Sequence, residues 1–150
     1  MQRTVPVLRA VGALSLFVIA ADHLYEYYAD GYSAIPTIGW LFLLNGIGAT
    51  ALGVMLLTLP RRVAGGWALA LAGAAGAGLA ASSLAALFVS ESEPLFGFME
   101  YGYRPVVVVA IASEAVAVVT LTLLCALLTR PTAQAVSRSR SQSAARFRYR

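Results

Sequence analysis

The chain of 150 residues has no lysine, one histidine and one cysteine. A lone Cys125 forms no intramolecular disulfide and no cysteine metal cluster, and it reads as a small apolar filler. A lone histidine excludes a bis-histidine haem built by this chain alone. Charge is scarce as well. Charged residues are 12% of the chain, against about 25% in a soluble domain. No glycine-rich phosphate loop stands between a strand and a helix. No serine or cysteine shares a sequence signature with His23, so no nucleophile is marked and no catalytic residue is named.

What the chain has instead is hydrocarbon. Hydrophobic residues make up 59% of it, and its mean hydropathy is +0.75. They fall in four blocks, Pro6–Tyr28, Ile38–Leu59, Val63–Val89 and Pro105–Thr129. Each is long enough to cross about 30 Å of hydrocarbon at about 1.5 Å per residue. The expected fold is all-α, a polytopic four-transmembrane-helix bundle over residues 1–129, followed at 130–150 by a disordered basic cytoplasmic tail. The first block runs on to spanning length, which argues against a cleaved signal peptide.

The arginines set an orientation. Ten of the eleven lie on one side of such a bundle: Arg3, Arg9, Arg61, Arg62 and six from Arg130 onward. Only Arg104 lies on the other side, with Asp22, Glu26, Asp30, Glu91, Glu93 and Glu100. The positive-inside rule then predicts both termini in the cytoplasm (N-in/C-in) of a multi-pass protein. On this reading the net charge of +4 is a topology signal, and no nucleic-acid partner is expected. In the tail, Arg138, Arg140, Arg146, Arg148 and Arg150, interleaved with Phe147 and Tyr149, are expected to meet anionic lipid headgroups, at about 1 kcal/mol per arginine near the surface.

Polar residues inside the apolar blocks are the candidates for function. Asp22, His23 and Glu26 share a helical face at the end of the first block, beside interfacial tyrosines. Asn45 lies in the second, where it needs a hydrogen-bond partner. Gly46, Ala49, Thr50 and Gly53 make a small-residue stripe that lets another helix approach. The Ala/Gly-rich third block is expected at the bundle centre or in an oligomer contact, with Ser82 and Ser83 bonded back to their own helix. The segment from Pro94 to Met99 is too apolar for a free loop, and is expected to dip into the interface or fold over the bundle mouth. Glu114 stands alone in the fourth block, about 14 Å along the helix from Pro105. Were the helix to begin near Glu100, positions 100, 103, 107, 110 and 114 would share its face.

These groups predict one polar pocket near the outer leaflet, built from Asp22, His23, Glu26, Asn45, Glu100, Tyr103, Arg104 and Glu114. Three fillings follow from the chemistry. The groups pair among themselves structurally. Or they hold a cation or relay a proton, with His23, Glu26 and Glu114 as metal ligands. Or they orient the head of a lipid or other apolar molecule.

The runs His23–Tyr27, Ile35–Asn45 and Phe98–Pro105, continued to Glu114, resemble small four-helix integral membrane proteins common in actinobacteria. The likeness covers residues 6–129. It implies four spans and a bacterial cell (inner) membrane, and it brings no activity and no cofactor. The expectation is therefore a non-enzymatic accessory or binding subunit with an outward polar pocket, embedded in the lipid bilayer as a homo-oligomer or within a larger membrane complex. The alternative is a small transporter or cation- or proton-binding protein using His23 and the carboxylates. A third reading is a membrane-embedded enzyme acting on a lipid or quinone-like substrate.

Overall fold

Hydrocarbon offers the backbone no hydrogen-bond partner, so an apolar block must close its bonds internally. The computed structural model describes residues 3–60 and 66–129, and in it each block is a helix. They are α1 (Thr4–Tyr28), α2 (Ile38–Thr58), α3 (Trp67–Ser92) and α4 (Pro105–Thr129). All four are long and apolar enough to cross a membrane. The β-branched run Val106–Val109 is helical like the rest. The expectations for the C-terminal arginines, and for the turn holding Arg61 and Arg62, fall outside the described residues.

The helices stand at the corners of a square. α1 packs broadly on α2 and on α4, and α3 on α4; α2 and α3 touch more loosely, and α1 meets α3 only across the diagonal. Small residues make the close contacts. Gly46, Ala49 and Gly53 of the α2 stripe are buried, while Thr50 points outward and bonds the Gly46 carbonyl at 2.8 Å. A Cβ on Gly46 would stand 2.7 Å from Leu24, and one on Gly53 2.8 Å from Phe17, both side chains of α1. The packed half of the bundle is leucine against glycine. Leu16, Ile19, Leu56, Leu121 and Leu124 are fully buried, and Gly76 leaves the space that Leu121 fills.

The Ala/Gly-rich α3 does not occupy the bundle centre. Only 22% of its most apolar window is buried, against 39% for α1. With so little side-chain volume, α3 buries one narrow face, Leu69, Ala72, Gly73, Gly76 and Ala80, with Ser90 near its end. Large apolar side chains such as Leu14, Leu44, Ile47, Leu71 and Val119 also face outward, as lipid-facing residues do. Exposed aromatics gather toward the ends: Tyr25, Tyr28, Trp40 and Tyr101 at one, Trp67 at the other.

Two loops close the end marked by Tyr28 and Pro105. The first carries a short 3-10 turn, Tyr32–Ala34, and folds back on the start of α2. Gly39 is required there, because a Cβ would come within 2.7 Å of the Tyr32 carbonyl. The second loop is pinned by Leu95 and Phe98, which exchange backbone bonds of 2.8 and 3.0 Å, and by the Glu100 amide on the Ser90 carbonyl at 3.0 Å. Between them Phe96 and Gly97 both have positive φ, 52° and 81°, the signature of a tight hairpin turn.

Candidate functional site: a capped cavity at one end of the bundle

Below these loops the four helices diverge around a cavity of about 260 Å³. Its polar lining includes His23 and Glu26 from α1, Asn45 from α2, Ser83 from α3, Glu114 from α4 and Glu100 from the second loop. Phe42, Leu95, Phe98 and Val107 supply apolar wall. The segment expected to dip or to cover thus folds over the mouth. Leu41 and Ser82 line the cavity and are also exposed on the outside of the bundle. The cavity therefore opens sideways between α2 and α3, the loosest pair of neighbours.

The roof is an ionic cap around Arg104. Its guanidinium donates to Asp30 at 2.8 Å, to Glu26 at 3.1 Å, to the Tyr32 hydroxyl at 2.8 Å and to Glu100 at 3.4 Å. Tyr32, itself buried, donates to the other oxygen of Glu100 at 2.6 Å. A planar fork suits this, because a guanidinium serves several acceptors at fixed angles and an ammonium does not. Burial, and then the hydrogen bond and charge of Glu100, push the Tyr32 phenol well above its ordinary pKa, which keeps it a neutral donor. Partial burial works against the Arg104 charge, but Tyr32, Asp30, Glu100 and Glu26 outweigh it and raise its pKa further.

The inner wall is wired differently. His23 is buried and bonds at 3.0 Å to the Ile19 carbonyl through Nδ1, and at 3.1 Å to the Ser83 hydroxyl through Nε2. A carbonyl only accepts, so Nδ1 carries the proton and, in a neutral imidazole, Nε2 accepts from Ser83. This bond spans the bundle diagonal. From His23 an aromatic run leads to the roof: Phe42 at 4.9 Å, then Tyr32 at 4.6 Å from Phe42, then Phe98 at 5.3 Å from Tyr32.

Glu114 faces this interior. It is 1% exposed, and its Oε2 has no hydrogen-bond partner. Asn45 Oδ1 and Asp22 Oδ2 are likewise buried without a partner. Ser83 neighbours Glu114 as well as His23, but a hydroxyl has one proton, and the one given to His23 is not available to the carboxyl.

Of the eight residues expected in the pocket, five line it: His23, Glu26, Asn45, Glu100 and Glu114. Arg104 caps it from outside through Glu26 and Glu100. Asp22 is buried but not in the lining. Tyr103 does not belong. It is 62% exposed and donates to Glu91 at 3.0 Å. The reason is local: α4 begins at Pro105 rather than near Glu100, so Val107, Ala110 and Glu114 share a buried face while Tyr103 leaves on a loop. The metal reading finds no ligand set. Among the described residues no three His, Cys, Asp or Glu side chains are grouped to hold an ion. Both His23 nitrogens are engaged, and Glu26 is paired with Arg104.

Sequence reasoning missed Ser83, Tyr32 and the Phe42–Phe98 wall. Ser82 does bond back to its helix, at 2.9 Å to Leu79, but Ser83 crosses to His23. No local signal separates these adjacent serines; only the rotation of α3 does. The Ser83–His23 pair does not make an acyl-transfer site. His23 Nδ1 rests on a backbone carbonyl rather than a carboxylate, and Ser83 lies inside α3, where helical N–H groups are already spent and cannot form an oxyanion hole.

No family model matches the chain, and no curated protein and no solved structure matches it either.

Proposed function

We propose that this is a binding subunit of a cell membrane, which takes a small amphipathic molecule from the outer leaflet into the cavity under the Arg104 cap. Both termini lie in the cytoplasm on this reading, and the arginine distribution supports it. The single observation that carries the proposal is the cavity itself: about 260 Å³ of space with a sideways opening, apolar walls and a polar end that includes an unpartnered Glu114 oxygen. A purely structural polar cluster closes on itself, as the Arg104 cap does. An unfilled, acceptor-lined space suits a guest that supplies the missing donor. The resemblance to small bacterial four-helix proteins accords with an inner membrane, and the exposed apolar faces accord with insertion in lipid, alone or beside a partner.

The test compares the wild type with Ala86→Phe, which puts a ring into the cavity from its α3 wall. Both are purified in native-lipid nanodiscs, and organic extracts are compared by mass spectrometry. The wild type should retain a low-mass amphiphile in near-equal molar amount, and the variant should lose it. Identical extracts from two folded proteins sink the reading. Orientation is tested separately by labelling single cysteines at Ser33 and Thr4 in intact cells, on a Cys125→Ala background. Only the Ser33 site should react with an impermeant reagent.

A further inference from the structure

If the cavity is a binding site, its chemistry narrows the guest. Its polar lining includes three carboxyl-bearing side chains, Glu26, Glu100 and Glu114, and its cation, Arg104, is spent at the roof on Glu26, Asp30 and Glu100. His23 is spent on Ile19 and Ser83. Every buried side-chain atom left without a partner among the described residues is an oxygen: Asp22 Oδ2, Asn45 Oδ1, Glu91 Oε1 and Glu114 Oε2. The buried atoms left unmet are acceptors, and the site is short of positive charge. A carboxyl in hydrocarbon takes either a proton or a counter-cation.

The walls decide which kind of cation. The oxygens of the lining are spread among the apolar walls of Phe42, Phe98, Leu95 and Val107, and among the described residues no three ligating side chains are grouped to replace a metal's hydration shell. Aromatic faces do attract a positive charge that is already wrapped in carbon. An anionic lipid head would meet carboxylates on three sides. The volume is below the usual ligand-pocket range of about 300–1,000 Å³, so a compact head enters and its tail leaves between α2 and α3.

We infer that the cavity binds a lipophilic organic cation, whose charge pairs with Glu114 and whose hydrocarbon lies on Phe42 and Phe98, in competition with a proton on that carboxyl. The proton's hold is set by the burial of Glu114, by the Ser83 hydroxyl from α3 and by the Asp22 carboxyl from α1; His23 and Glu26 from α1, Asn45 from α2 and Glu100 from the roof line the same cavity. This rests on the binding-site reading above.

The experiment uses the full chain in phosphatidylcholine nanodiscs. Two probes are compared by equilibrium dialysis, benzyldimethyldodecylammonium and its uncharged analogue with carbon in place of nitrogen, each above the level of empty discs. The wild type should bind the cation about tenfold more tightly than the analogue, and about tenfold more tightly near pH 8 than near pH 5. Glu114→Gln should lower cation binding to the analogue's level and remove the pH dependence, and Glu114→Asp should keep both. Equal binding of the two probes, or cation binding unchanged in Glu114→Gln, overturns the inference. If both probes bind equally and Ala86→Phe abolishes both, the cavity reading stands and the cation reading alone falls. If neither probe binds saturably, both fall. Should Glu114→Gln fail to fold, the comparison of probes and of pH on the wild type decides by itself.

Discussion

The two halves of the bundle solve the same packing problem in opposite ways. In the half near Leu121, helices are drawn together by glycines facing leucine or phenylalanine, and among the described residues no buried side-chain polar atom is left without a partner there. In the half near Glu114, the helices part around polar groups, and some of those groups stay unsatisfied. Even within the hollow half there is a contrast. The Arg104 cap saturates its acceptors with one guanidinium and one phenol; the Glu114 wall does not. Stability resides in the packed half and the cap, and on the proposed function the wall is where a guest would be held.

Substitutions should divide along the same line. The largest loss is expected at Leu121→Ala, fully buried against Gly12 and Gly76, at about 3 kcal/mol in a reversible unfolding titration in detergent. Val107→Ala on the cavity wall should cost only about 1 kcal/mol, because its side already borders empty space; equal losses at both positions would erase the distinction between halves. Arg104→Ala strands Glu26, Asp30 and Glu100 and should cost about 2 kcal/mol, the pairs being partly open to solvent. Arg104→Lys should recover less than half of it, since an ammonium cannot reproduce the fork.

Glu114→Gln should move the other way. Relieving a buried carboxyl that has one oxygen unpartnered should raise the unfolding free energy by about 1 kcal/mol, and a clear loss would mean that Glu114 is a structural partner after all. The smallest effect is expected in the covering hairpin. Phe96 holds φ 52° beside Gly97, a conformation that asparagine adopts with less strain. Phe96→Asn should slow amide exchange at Phe98 and Glu100 slightly and leave the rest of the bundle unchanged.

How far the sequence could be read depended on the range of the interaction. Helix existence is a one-residue-at-a-time property in hydrocarbon, so Ile38 and Pro105 were legible as helix starts from Gly/Pro punctuation and hydropathy alone. The burial of Glu114 was legible too, because an isolated carboxyl in a span seldom faces lipid. Tyr103 was misplaced because the expected face assumed a helix running through Gly102, whose φ of 80° lies outside any helix. Ser83 was passed over because its partner is 60 residues away in sequence.

By itself the sequence determined the number of helices long and apolar enough to span a membrane, their approximate ends, the small-residue seam of α2 and the segregation of arginine from acid. Each is a sum over local residues against a uniform solvent, which requires no knowledge of neighbours. Only the tertiary structure decided that Arg104 roofs Glu26, Asp30 and Glu100, that His23 reaches across the diagonal to Ser83, and that Glu114 is left facing an open space. Those outcomes depend on the rotation of each helix about its own axis. In a chain this uniformly apolar, hydropathy does not specify that rotation; the meeting of glycine with leucine in the packed half does.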